Sequence, residues 1–270
     1  MHNTGQLSLQ RILLLALACD WLAFVVSGVS FSFLHNDPFF SFGVDGAHWL
    51  LYAAGIPQAI VAQQWLGLAC DFLIFLLLAL LVYNPFNNKI ALTLAAMLLL
   101  YYVTLTGYHT HRNFQSGFVL VMLPFLFKKI KSREMAYEAT RYFLLFFYVS
   151  SALLKLFSPA LFDSTHFSNI LSQQFVPYFL EENTGWRTNL NLYLVNHAAF
   201  AQVLFIAGFA MELATITGFF TKRFDRWLAM LILLFHFTNW VLMDIAPLGQ
   251  LAFICLLFMK SAFTERRKMF

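Results

Sequence analysis

Two side chains stand out because an apolar chain has to be given a reason to keep them. Lys155 closes the run Tyr148-Val149-Ser150-Ser151-Ala152-Leu153-Leu154-Lys155, and His236 lies within Leu234-Phe235-His236-Phe237-Thr238-Asn239-Trp240. A lysine facing a partly dry cavity gives up its proton more readily, and the neutral amine can then act as a base. The same lysine near the end of a helix can instead lay its stem along the helix and carry its ammonium to the headgroups. Both readings stand on the residues alone. His236 and Asn239 are three apart and share a helical face, which suits either a hydrogen-bonded packing pair or the polar wall of a cavity.

Four more ionisable residues fall at helix depth. Arg11 lies one turn into the first apolar segment and reads as an anchor that snorkels. Asp20 and Asp71 each follow a cysteine and are expected either to pair with a cation elsewhere among the helices or to belong to a site. Glu212 reads as the partner of a buried cation or as a lock between helices. His109 and His111 lie two apart, with Asn113 beyond, but no carboxylate is near them in sequence, and no metal site is expected. Cys19, Cys70 and Cys255 are far apart and form no CxxC, zinc or disulfide pattern.

The elements that position these residues are membrane helices. The chain has 270 residues, of which 60% are apolar and 11% charged, which is more apolar surface than a soluble core of this size hides. A span needs roughly 20 apolar residues. The expectation is an all-α, polytopic membrane bundle of about eight spans. They are Ser8 to Leu34, Trp65 to Tyr83, Ile90 to Tyr108, Phe114 to Phe127, Ala139 to Phe157, Ala198 to Phe220, Trp227 to Met243 and Ala246 to Met259. The fourth and eighth are short, and one of them could be re-entrant. The first has no small-residue cleavage site after it and reads as a retained helix.

Lys89, then Lys128, Lys129, Lys131, Arg133 and Arg141, then Lys222, Arg223 and Arg226, and finally Lys260, Arg266, Arg267 and Lys268 fall at alternate connections. By the positive-inside rule both termini are cytoplasmic, and the basic excess is a topology signal with no nucleic acid implied. The outer face then receives two long connections, His35 to Gln64 and Ser158 to His197. Both carry aromatic residues (Trp49; Phe175, Tyr178, Phe179) that argue for a folded lid. Within the first, Ala47 to Gln63 reads as an interfacial helix interrupted at Pro57. No internal repeat or Gly/Ser linker divides the chain, so residues 1–270 are expected to form a single domain.

Three stretches together resemble the horizontally transferred transmembrane (HTTM) family, whose best-known member is the vitamin K-dependent γ-glutamyl carboxylase. Tyr148 to Phe162 looks like the family's tyrosine, small residues and lysine followed by leucine. Phe235-His236-Phe237-Thr238-Asn239 looks like its Phe-His-x-x-Asn, and Leu9 to Ala23 resembles its opening helix. The resemblance implies that Lys155 is the base acting on an isoprenoid, vitamin K-like quinol. It implies His236 as the second catalytic residue, and Asn239, Tyr148, His111, Asn113 and Glu212 as the pocket for substrate or cofactor. At the start of the fourth helix the family's Asn-His pair is met by His111-Arg112-Asn113-Phe114, and the chain ends soon after its last span, so a related cavity is implied rather than the identical reaction.

The function this implies is an enzyme in a plasma or inner membrane, its active face non-cytoplasmic, using a quinol or other lipid to modify a peptide or protein. The alternative is a non-catalytic membrane subunit, or a lipid-binding partner of a larger complex. A transporter would call for inverted repeats and broken helices, and neither is visible.

Overall fold

The computed structural model describes residues 4–39, 46–108, 117–176, 179, 185–245 and 249–257. Among the described residues every regular element is helical. In chain order these are α1 (Thr4–Val26), α2 (Gly46–Ala53), α3 (Ile56–Ala62), α4 (Gln64–Tyr83), α5 (Asn88–Tyr108), the short α6 (Gly117–Leu120) and α7 (Ile130–Leu156). There follow α8 (His166–Gln174), α9 (Trp186–Asn196), α10 (Ala198–Ala214), α11 (Thr217–Phe220), α12 (Asp225–Met243) and α13 (residues 251–257).

Five of these stretches are long and apolar enough to cross a membrane: α4, α5, α7, α10 continued through α11, and α12. Their outward faces carry Phe72, Leu76 and Leu80 on α4 and Phe146 and Leu154 on α7, all exposed. Rows of large apolar side chains like these belong against hydrocarbon rather than water. α1 is also 23 residues long. Within the expected fourth span, α6 gives way to a 3-10 turn at Leu123–Leu126 with Pro124 in its first turn, and the described apolar stretch Gly117–Leu126 is shorter than a full helical crossing.

Local chemistry sets several boundaries differently from the apolar pattern. The first helix stops at Val26 rather than running to Leu34, because Gly28 takes a left-handed φ of 66°. The Gly28 N–H then donates to the Val25 carbonyl and the Val29 N–H to Phe24, satisfying the carbonyls that a helix end leaves open. The expected helix over 47–63 is broken by Gly55, at φ 70°, and not by Pro57, which instead sits in the first turn of α3. Proline fits there because the first-turn N–H has no helical partner to lose.

The chain divides into two compact units. The first holds the residues up to Arg141 together with 249–257. Its core is aromatic: Trp21, Phe24, Phe31 and Phe118 pack edge-on or tilted around Tyr101, whose hydroxyl donates to the Val29 carbonyl over 2.8 Å. The reversing segment 29–32 can lie on α4 because residue 67 is glycine; a Cβ there would stand 2.7 Å from the Phe31 carbonyl oxygen. The second unit runs from Tyr142 to the end of α12. Phe167, Leu171, Leu194, Ala201 and Leu242 bring α8, α9, α10 and α12 together, and the Gln202 amide donates to the carbonyls of Ala160 and Leu161.

Candidate functional site

Tyr148 and Lys155 lie seven residues apart, with Ser151 and Ala152 each three or four residues from both, and the four form one face of α7. Within the second unit that face meets α10 and α12. The Lys155 ammonium donates to Glu212 Oε2, and Ser151 Oγ donates to Glu212 Oε1 over 3.1 Å. Both carboxylate oxygens are thus held by side chains of a neighbouring helix. The Glu212 side chain is 4% exposed and that of Lys155 is 29% exposed, so the lysine side chain is partly accessible while its partner is not.

Two turns earlier on α7, the Tyr148 hydroxyl and His236 Nε2 share a hydrogen bond of 2.6 Å. Tyr148 and His236 are both buried. Phe235 separates the two pairs: its ring centroid is 5.6 Å from Lys155 Nζ and 6.4 Å from the Tyr148 ring, which it meets edge-on. The ammonium therefore lies between a carboxylate and the negative face of an aromatic ring, and both favour its positive charge.

This settles the direction of Lys155. Its ammonium is turned into the helices, onto Glu212, rather than spread toward headgroups. Helical side chains lean toward the N-terminus of their own helix, and from the last turn of α7 that lean carries the amine back along the face shared with Tyr148. Of the sequence-derived residues, Lys155, Glu212, Tyr148 and His236 come together. Asn239, one turn beyond His236, is half-buried and makes none of the described hydrogen bonds. His111 and Asn113, like His109, lie outside the described residues.

Ser151 is a member that the sequence reading passed over, although it occupies the right position between Tyr148 and Lys155 on the helix face. A serine inside a helix more often returns its hydroxyl to its own backbone, so nothing in its type marked it. Asp20 and Asp71 take a different course from the expected pairing with a cation. Asp71 accepts Ser30 Oγ, Phe31 N–H and Ser32 N–H, and Asp20 accepts the N–H groups of Leu251 and Ala252. The carboxylate charge is met by amides that loops and helix starts leave unpaired. Arg11 reaches the carbonyls of Val82 and Tyr83 at the end of α4.

Among the described residues no group of three His, Cys, Asp or Glu side chains is placed to hold a metal ion. A scan against protein-family models gives no match, and searches of curated proteins and of solved structures find nothing similar to this chain.

Proposed function

We propose that this protein is a membrane-integral enzyme in which Lys155 takes a proton from a lipid-soluble substrate. The observation that carries this reading is the unequal exposure of the Lys155–Glu212 pair: the lysine side chain is partly accessible and its carboxylate partner is not. The direct hydrogen bond between them offers a route by which the ammonium proton passes to Glu212 and leaves a neutral amine. A hydroxyl of the substrate then gives its proton to that amine, forming an oxyanion beside a re-formed ammonium that the Phe235 ring stabilises, while Glu212 keeps the proton it received until the product leaves. Tyr148 and His236 form a second proton-carrying pair on the same face.

The resemblance to the HTTM family supplies the finer part of the reading. It points to an isoprenoid quinol, or another lipid, as the acid, and to a peptide or protein modified at a non-cytoplasmic face of a plasma or inner membrane. Eight spans, with both termini cytoplasmic, belong to the same proposal.

The test is mass spectrometry of the quinones and lipids that co-purify in mild detergent with the wild type, Lys155→Ala and His236→Ala. Product derived from a bound quinol or lipid is expected with the wild type and not with either variant, at equal membrane abundance. The same products from all three would end the proposal.

One observation favours a second reading, a non-catalytic subunit or lipid-binding partner. Lys155, Glu212 and Ser151 already satisfy one another, as a lock between helices requires. A lock can be replaced by apolar side chains of similar volume. Retained cellular function in Lys155→Met/Glu212→Leu, with a stoichiometric partner on purification, would favour this reading over the enzyme.

A further inference from the structure

A second polar cluster lies in the first unit, in the opening turns of α7, and plays no part in the site above. Arg133 is only 1% exposed, yet among the described residues no carboxylate forms an ion pair with it. Its Nε and Nη2 both donate to one acceptor, the Phe127 carbonyl, at 3.2 and 2.8 Å. Its Cζ sits 4.7 Å from the centroid of the Phe86 ring. The remaining nitrogen, Nη1, is buried and has no hydrogen-bond partner among the described residues. A buried guanidinium satisfied by one carbonyl and one ring is an expensive arrangement: desolvation of the charge is offset fully only by an anion.

The surroundings indicate which kind of anion. Lys128, Lys129 and Lys131 on the turn entering α7, and Lys89 in the first turn of α5, are all exposed. Interleaved with them, Phe127, Ile130 and Met135 are exposed apolar side chains. Alternation of lysines with outward apolar groups is the pattern of a surface lying in the headgroup zone, where amines meet phosphates and apolar groups enter the acyl boundary. A free phosphate would use the charges and leave the apolar groups without a role; a lipid uses both. A guanidinium is also suited to phosphate, since its planar fork offers parallel donors.

We propose that Arg133, with the lysines of the 128–131 turn, binds the phosphate of an anionic lipid headgroup. The lysines draw the headgroup to the turn, and Arg133 Nη1, which has no exposed surface in this structure, becomes a donor to it when the exposed turn at 127–129 shifts off the guanidinium. This does not depend on the enzyme reading, because none of its residues belongs to the Lys155 site.

The experiment is thermal unfolding of the purified full chain in non-ionic detergent, titrated with short-chain phosphatidylglycerol, with phosphatidylcholine, or with inorganic phosphate. At about a hundredfold excess over Kd, phosphatidylglycerol is expected to raise the wild-type midpoint by roughly 5 °C or more, and phosphatidylcholine to leave it unchanged. Arg133→Met removes an uncompensated charge, so without anionic lipid its midpoint is expected to match or exceed the wild type, and phosphatidylglycerol should no longer shift it. The exposed triple variant Lys128→Gln/Lys129→Gln/Lys131→Gln keeps Arg133 and should need about tenfold more phosphatidylglycerol for the same shift. Equal phosphatidylglycerol responses in the wild type and both variants would overturn the proposal. So would a wild-type shift produced in full by inorganic phosphate, which would replace the lipid by a free anion.

Discussion

The two units bury carboxylates in opposite ways. In the first, Asp20 and Asp71 accept mainly backbone N–H groups, at the start of α13 and in the turn after α1. In the second, the Glu212 carboxylate accepts, among the described residues, only from the side chains of Ser151 and Lys155. All three carboxylates are 6% exposed or less, so burial does not tell them apart; their partners do. A backbone amide cannot give up its proton, and a carboxylate paired with it holds a loop in place. An ammonium can give up its proton, and a carboxylate paired with it can take part in chemistry. The comparison teaches that the second unit has the pair suited to exchange and the first has the pairs suited to architecture.

The largest effect is expected where architecture is removed. Asp71→Ala leaves two buried N–H groups and the Ser30 hydroxyl without their acceptor, and should cost about 3–5 kcal/mol in unfolding by denaturant or heat. Any function should then fall only in proportion to the folded fraction. Glu212→Leu should cost less, about 2 kcal/mol, because Lys155 is partly exposed and can turn toward water. Lys155→Met/Glu212→Leu should return to within about 1 kcal/mol of the wild type, and a double-mutant cycle measures that recovery. If Asp71→Ala and the double variant proved equally damaging to the fold, the distinction between the units would be lost.

Tyr148→Phe removes one hydrogen bond and keeps the ring, for a stability loss of about 1 kcal/mol. If the second unit does proton chemistry, the loss of activity should far exceed that of stability, and turnover of the purified variant would show it. Smaller still is the Arg187–Asp244 pair, 2.7 Å long but partly exposed on both sides. Asp244→Asn keeps a residue tolerant of the left-handed φ of 53° there. It should shift the unfolding free energy by about 0.5 kcal/mol, and less in high salt.

The smallest effect sharpens the comparison on a surface carboxylate. The N–H and hydroxyl of Thr165 both donate to Asp163 Oδ1 at 2.8 Å and hold its pKa below the ordinary value. Folding is therefore favoured above the unfolded-state pKa of Asp163, and that contribution fades as pH falls through the lowered folded value. An NMR titration of Asp163 should show the depressed midpoint, and Thr165→Ala should raise it.

Much of this was legible from residue types. The spans around α4, α5, α7, α10 and α12 follow from uninterrupted apolar runs, and Lys155, Glu212 and His236 were conspicuous because such groups are costly at helix depth. The partners were not legible. Glu212 lies 57 residues from Lys155, and no local spacing says which cation a buried carboxylate will meet. Asp20 and Asp71 looked like the same kind of residue as Glu212, because a sequence records the carboxylate and not the backbone amides that will surround it. The end of α1 was misjudged for a related reason: hydrophobicity runs on past Gly28, while the left-handed turn that stops the helix depends on backbone conformation.

By itself, then, the sequence determined that this chain is helical, that its long apolar helices suit a membrane, and that a few costly polar groups had to be satisfied within them. Composition and apolar length settle those matters because the hydrophobic effect depends on amount and periodicity. Only the tertiary structure decided that Lys155 turns inward onto Glu212, that Tyr148 meets His236, that Asp20 and Asp71 serve loops, and that Arg133 is buried with no carboxylate paired to it among the described residues. Hydrogen bonds and ion pairs are directional and short, so they are fixed by which helix faces meet, and that is settled only when the chain is packed.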